Sequence, residues 1–182
     1  RNMRIFIAIK LNNYIKSYLK GVADSLEPYF LKARFTHYDN YHITLKFIGE
    51  SNRMQFNKVV TAVKSAASES YSFTLETMGP GSFRRKNKHI VYCDVKNSDK
   101  LQRLYDVIIK NLKKVETDIG NSSFSPHITL AREAVLIDSF PKINIKSTEI
   151  EVDSICVMES TRVDGKLTYI PRYTAKLKEL AQ

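Results

Sequence analysis

The sequence predicts an α+β fold, with two mostly antiparallel sheets flanked by helices around a central cleft. Short apolar runs rich in β-branched residues alternate with stretches whose apolar residues recur at helical spacing, and strands dominate the final third. The order strand, helix, His-x-Thr strand also occurs twice, once before about residue 50 and again from about residue 89, which suggests two lobes with pseudo-two-fold symmetry. At 182 residues, 43% hydrophobic and 10% aromatic, the chain can bury either one sizeable core or a core shared by two small lobes.

The elements follow in order. Ile5-Phe6-Ile7-Ala8-Ile9 is a continuous apolar run of the kind found in buried central strands. Asn12 or Asn13 caps a helix whose inner face is Ile15, Tyr18, Leu19, Val22 and Leu26, and Glu27-Pro28 ends it. A short strand is expected from Ala33 to Tyr38, then a turn at Asp39-Asn40 into the strand Tyr41 to Glu50. Ser51 or Asn52 caps a second helix, with Phe56, Val59, Val60, Val63 and Ala67 inward. Tyr71 to Thr77 alternates at period two, Gly79-Pro80-Gly81-Ser82 reads as a turn, and Phe83 to Lys88 as a basic loop. Such a loop is more often solvated surface than a binding element, and its four cations leave a phosphate-contacting role open.

His89 to Val95 is the next strand. Ser98 caps a third helix with Leu101, Leu104, Tyr105, Ile108, Leu112 and Val115 on one face, the clearest amphipathic signal in the chain. Ile119 to Ser125 is a polar connection into the strand that opens at Pro126-His127. Alternating pairs between Ile143 and Met158 indicate one or two strands. Asp164-Gly165 is a hairpin turn, and Pro171 marks the closing strand as bulged or at an edge.

Charge and cysteine usage narrow the partners. The net charge of +10, from 29 Lys+Arg against 19 Asp+Glu, favours anionic partners, nucleic acid foremost. Cys93 and Cys156 form no Cys-x-x-Cys pair, which argues against a zinc site or disulfide framework and fits a reducing cytoplasm. No apolar run approaches the roughly 18 residues of a membrane helix. Arg1-Asn2 reads as an addition ahead of a native start at Met3.

Chemistry concentrates in two stretches, Tyr41-His42-Ile43-Thr44-Leu45-Lys46-Phe47 and Pro126-His127-Ile128-Thr129-Leu130-Ala131-Arg132. Strand alternation puts His42 and Thr44 on one face, His127 and Thr129 likewise, with Ile43, Leu45, Ile128 and Leu130 opposite. A single His-x-Thr in a strand is usually structural; two copies with apolar residues between suggest a built site. Imidazoles titrate near pH 6.5, so one can accept a proton from water while the other donates one to a leaving oxygen. Threonine hydroxyls can hydrogen-bond nonbridging phosphate oxygens as charge builds. The set suits phosphodiester hydrolysis without a metal. Neither His37 nor His89 stands at ligand spacing, and neither is assigned a role.

These two stretches resemble the paired signatures of the two-histidine phosphoesterase superfamily. More narrowly, they are similar to the bacterial 2'-5' RNA ligase family, also described as RNA 2',3'-cyclic phosphodiesterases. Met3 to Ile9 and the end from Val157 through Asp164-Gly165 to Tyr169 resemble the same family. The resemblance implies one bilobal domain over residues 1–182, each lobe contributing one motif, 42–44 and 127–129. It implies a cyclic phosphodiesterase that opens 2',3'-cyclic RNA ends to 2'-phosphates, with 2'-5' ligation as the reverse reaction. His42 would be the general acid, His127 the general base, and Thr44 and Thr129 would hold the phosphate. Phe47 and Arg132 occupy positions the family uses for the nucleoside or phosphate. Alternation places both opposite the histidines, so contact requires a bend, and Phe47 otherwise reads as core. Lys46 shares the histidine face and adds positive potential. The expected partner is RNA with a cyclic phosphate end or a related nucleotide, with no cofactor, metal, membrane or obligate protein partner. The alternatives are a non-catalytic RNA- or nucleotide-binding module, or an enzyme for small cyclic nucleotides or 2'-5' oligonucleotides.

Overall fold

The computed structural model describes residues 1–180. Strand β1 (Met3–Lys10) and helix α1 (Asn13–Leu26) are followed by β2 (Phe30–Phe35), β3 (His42–Ser51) and α2 (Arg53–Ser68). The second half runs β4 (Phe73–Arg85), β5 (Lys88–Val95), α3 (Asp99–Lys114), β6 (His127–Leu136), β7 (Glu149–Val152), β8 (Ser154–Val163) and β9 (Lys166–Lys176).

The expected caps form. Asn12, Asn52 and Ser98 each accept a hydrogen bond from a backbone N–H in the first turn of their helix, and Gln55 completes a capping box with Asn52. Asp164 and Gly165 take φ of 51° and 77° between β8 and β9, the left-handed pair that a tight two-residue hairpin needs.

The strands form two antiparallel sheets, ordered β3-β1-β8-β9 and β2-β6-β5-β4-β7. Apart from β2, the second sheet repeats the first: β6-β5-β4-β7 stands where β3-β1-β8-β9 does, with a His-x-Thr strand leading each series. One continuous core joins them. Ile5, Ile7 and Ile9 of β1, Ile43 and Leu45 of β3, and Ile128 and Leu130 of β6 share it with apolar residues of all three helices. At about 25 cal/mol per Å² of apolar surface, this shared burial is what holds the two sheets together.

Five expectations change. Strand β2 spans Phe30–Phe35, not 33–38, because Tyr38–Asn40 closes into a 3-10 turn before β3. Gly79-Pro80-Gly81 is not a turn: β4 runs unbroken to Arg85, pairing through Gly81 with Tyr92 and bulging between Thr77 and Gly79. The chain reverses at Lys86-Asn87, Lys86 at a φ of 59°, so the basic segment is a strand-and-turn hairpin. Ile143 and Ile145 pack against the core from irregular backbone, and the late strands begin only at Glu149. Tyr105 leaves the core face of α3 and stacks on Phe124, ring centroids 4.2 Å apart and planes at 6°.

Candidate active site

A cleft of about 280 Å³ lies between β3 and β6, and all seven residues singled out from the sequence line it: His42, Thr44, Lys46, Phe47, His127, Thr129 and Arg132. The local reason is a bulge that occurs in both motif strands at the same place. In β3, Thr44 faces Ala8 and Lys46 faces Ile7, which leaves Leu45 without a cross-strand partner. In β6, Thr129 faces Tyr92 and Ala131 faces Val91, which leaves Leu130 unpaired.

An extra residue reverses the faces of everything beyond it. Two consecutive residues are therefore buried in each strand, Leu45-Lys46 and Leu130-Ala131, and the next residue returns to the histidine side. Phe47 is thus 56% exposed and lines the cleft, packed beside Phe6 at 5.5 Å, so it is not a core residue. Arg132 enters the cleft by the same route. Lys46, in register with core-facing Ile7, is only 6% exposed, and its ammonium donates to Ser122 Oγ at 3.3 Å on the cleft wall.

Each imidazole is tethered alike. His42 Nδ1 lies 2.7 Å from the Asn40 carbonyl, and His127 Nδ1 lies 2.9 Å from the Ser125 carbonyl. A carbonyl can only accept, so Nδ1 carries a proton in both rings, and in neutral His42 the Nε2 keeps its lone pair. His42 Nε2 then accepts from the Thr44 hydroxyl at 2.8 Å. Asn40 is itself anchored, its buried side chain donating to the Leu167 carbonyl at 2.8 Å.

Aromatic rings fix both imidazoles. Phe6 and Tyr169 each pack on His42 at 5.0 Å, and Tyr92 and Phe83 approach His127 at 5.7 and 6.3 Å. Burial holds the His42 pKa down from 6.5 to about 4. The Arg132 and His127 charges push the same way, against the Asn40 carbonyl, so His42 is neutral at pH 7 in the unliganded protein. Burial also raises the Tyr169 phenol, which stays a neutral hydroxyl at the cleft.

The remaining wall was not foreseen. The segment 119–125 reads as a polar connection, yet Ser122, Phe124 and Ser125 border the cleft, and Tyr105 completes it through its stack with Phe124. Phe124 immediately before Ser125-Pro126-His127, an aromatic among serines, was the available signal.

The model of the 2'-5' RNA ligase superfamily matches residues 21–164, a span that contains both motifs. The chain belongs to this superfamily. An RNA 2',3'-cyclic phosphodiesterase of Thermotoga maritima is 27% identical over 164 residues, 87% of each chain. One of the same name from Geobacillus stearothermophilus is 30% identical over 132 residues, 70% of this chain and 41% of that protein. Among solved structures, apo LigT of E. coli superposes with a TM-score of 0.76 at 22% identity, covering 97% of this chain and 98% of that one. The superfamily fold is thus the one seen here, with two antiparallel sheets and a cleft between the motif strands.

Proposed function

We propose that this chain is a phosphodiesterase that opens 2',3'-cyclic phosphate ends of RNA to 2'-phosphates, with His127 as base and His42 as acid. The observation that carries it is the matched tethering of the two imidazoles, each with its Nδ1 proton on a backbone carbonyl and both lining one cleft, where His42 Nε2 meets the Thr44 hydroxyl. Relatives that bear the name RNA 2',3'-cyclic phosphodiesterase support the substrate.

His127 Nε2 takes a proton from water as the water oxygen attacks phosphorus. The bond from phosphorus to the 3' oxygen breaks, and that oxygen receives the proton from His42 Nε2. The 2' ester survives. Thr44, Thr129 and Arg132 meet the nonbridging oxygens as charge builds on them. His42 must therefore gain a proton when substrate arrives. The phosphate supplies the reason, since its negative charge offsets Arg132 and raises the imidazole's affinity for a proton. The second imidazole activates the attacking water, the part a bound metal ion would otherwise play, so turnover proceeds without a divalent cation. Both cysteines are buried free thiols, which supports a reducing cytoplasm as the enzyme's setting.

Incubation of a cyclic-ended oligoribonucleotide with the protein in EDTA is expected to yield the 2'-phosphate alone. A 3'-phosphate product, or turnover only after a divalent cation is restored, would overturn this reading.

A further inference from the structure

Arg132 borders both the active-site cleft and a second depression. That depression is lined by Arg34, Arg85, Lys86, Lys88 and Glu133, and it opens at the turn of the β4–β5 hairpin. Register explains why these cations lie together. Arg34 pairs with Arg132 across β2 and β6, and Arg85 pairs with Lys88 across β4 and β5. Gly81 pairs with Tyr92, which pairs with Thr129, so Gly81, Phe83 and Arg85 alternate onto the face that carries Thr129 and His127. One sheet face thus runs from the His127 imidazole, past the half-exposed Phe83 ring, to a cluster of cations.

These cations are available to a ligand. Among the described residues Arg85, Lys86 and Lys88 form no salt bridge, and the one acid of the depression, Glu133, lies 3.8 Å from Arg34. A surface that only needed solubility would carry both signs interspersed. Single-stranded nucleic acid is bound by this combination, a cationic groove along the backbone with aromatic faces for the bases.

We infer that the RNA strand leading up to the reacting end leaves the cleft past Arg132 and follows the β4–β5 hairpin. Its phosphates lie on Arg85, Lys86 and Lys88, and the base next to the terminal nucleotide stacks on Phe83. The substrate class is then an oligoribonucleotide, with free cyclic mononucleotides as poor substrates. The inference rests on the phosphodiesterase reading for the identity of the reacting end, while the track itself can be tested by binding alone.

The test compares wild type with the triple variant Arg85→Gln, Lys86→Gln, Lys88→Gln, none of which lines the cleft. Fluorescence anisotropy measures binding of a 3'-phosphorylated decaribonucleotide as a function of salt, and kcat/KM is measured on cyclic-ended decamer and on 2',3'-cyclic mononucleotide. The track predicts that wild type prefers the decamer by at least about tenfold. The variant loses most of that preference, its log–log salt slope falls by about 2, and mononucleotide turnover stays the same. Glu133→Gln should tighten decamer binding. Equal decamer affinity and salt slope in variant and wild type would overturn the track, as would a wild type indifferent to chain length. Inactivity on both cyclic substrates with the binding difference intact would sink the phosphodiesterase reading and leave the track standing.

Discussion

His42 is held by a residue two positions before it: its Nδ1 donates to the Asn40 carbonyl at 2.7 Å. Asn40 in turn is fixed to β9 through Leu167, so the proton on Nδ1 is set by the sheet and Nε2 is left for the cleft. The same relation recurs between His127 and Ser125.

The half-buried, neutral His42 links stability to pH. Its folded pKa, about 4, lies below the unfolded value of 6.5, so the unfolded chain binds more protons between those values. The stability it confers is fully present above pH 6.5 and is lost as pH falls toward 4, a difference of about 3 kcal/mol. Urea unfolding of wild type and His42→Gln between pH 7 and 4.5 should show the variant with the flatter dependence. Parallel curves would contradict an imidazole held neutral by the fold.

The two proton roles separate by leaving group. A p-nitrophenolate departs without protonation, so on a nucleotide p-nitrophenyl ester His42→Ala should lose far less rate than on the cyclic substrate. His127→Ala should be equally impaired on both, because each reaction needs an activated water. The opposite pattern would exchange the two assignments.

Phe47→Ala gives a check on the bulge. A buried phenylalanine costs about 3–5 kcal/mol when truncated. At 56% exposure beside Phe6, this one should cost under about 1 kcal/mol in thermal unfolding while KM rises. A large loss of stability would place Phe47 in the core.

Gly81→Ala probes the support of His127. A Cβ at Gly81 would meet the Tyr92 hydroxyl oxygen at 2.6 Å and its ring at 2.8 Å, and that ring packs on His127. The variant should unfold about 1–3 kcal/mol more easily and lose kcat more than KM. A similar loss of kcat in Tyr92→Leu would show that the Tyr92 ring is the support, whereas a wild-type kcat in Gly81→Ala would show that His127 does not depend on this packing.

Local pattern carried much of this. Period-two alternation placed His42 beside Thr44 and His127 beside Thr129, and the asparagine and serine caps marked helix starts, because these features depend on neighbours in the chain. The bulges at Leu45 and Leu130 depend on which residues of β1 and β5 lie opposite, a long-range matter, so alternation assigned Phe47 and Arg132 to the wrong face. Gly79-Pro80-Gly81 has turn composition, yet its glycines serve a bulge and the close approach of Tyr92. Tyr105 read as core because helical spacing cannot distinguish packing inward from stacking on a distant Phe124.

The most direct test of the paired imidazoles is the rate of each single variant, His42→Ala and His127→Ala, on a cyclic-ended oligoribonucleotide at pH 7, with circular dichroism to show that the fold persists. Each is expected to fall by about 10²–10⁴-fold. A folded variant of either that retains activity within about tenfold of wild type would contradict the account.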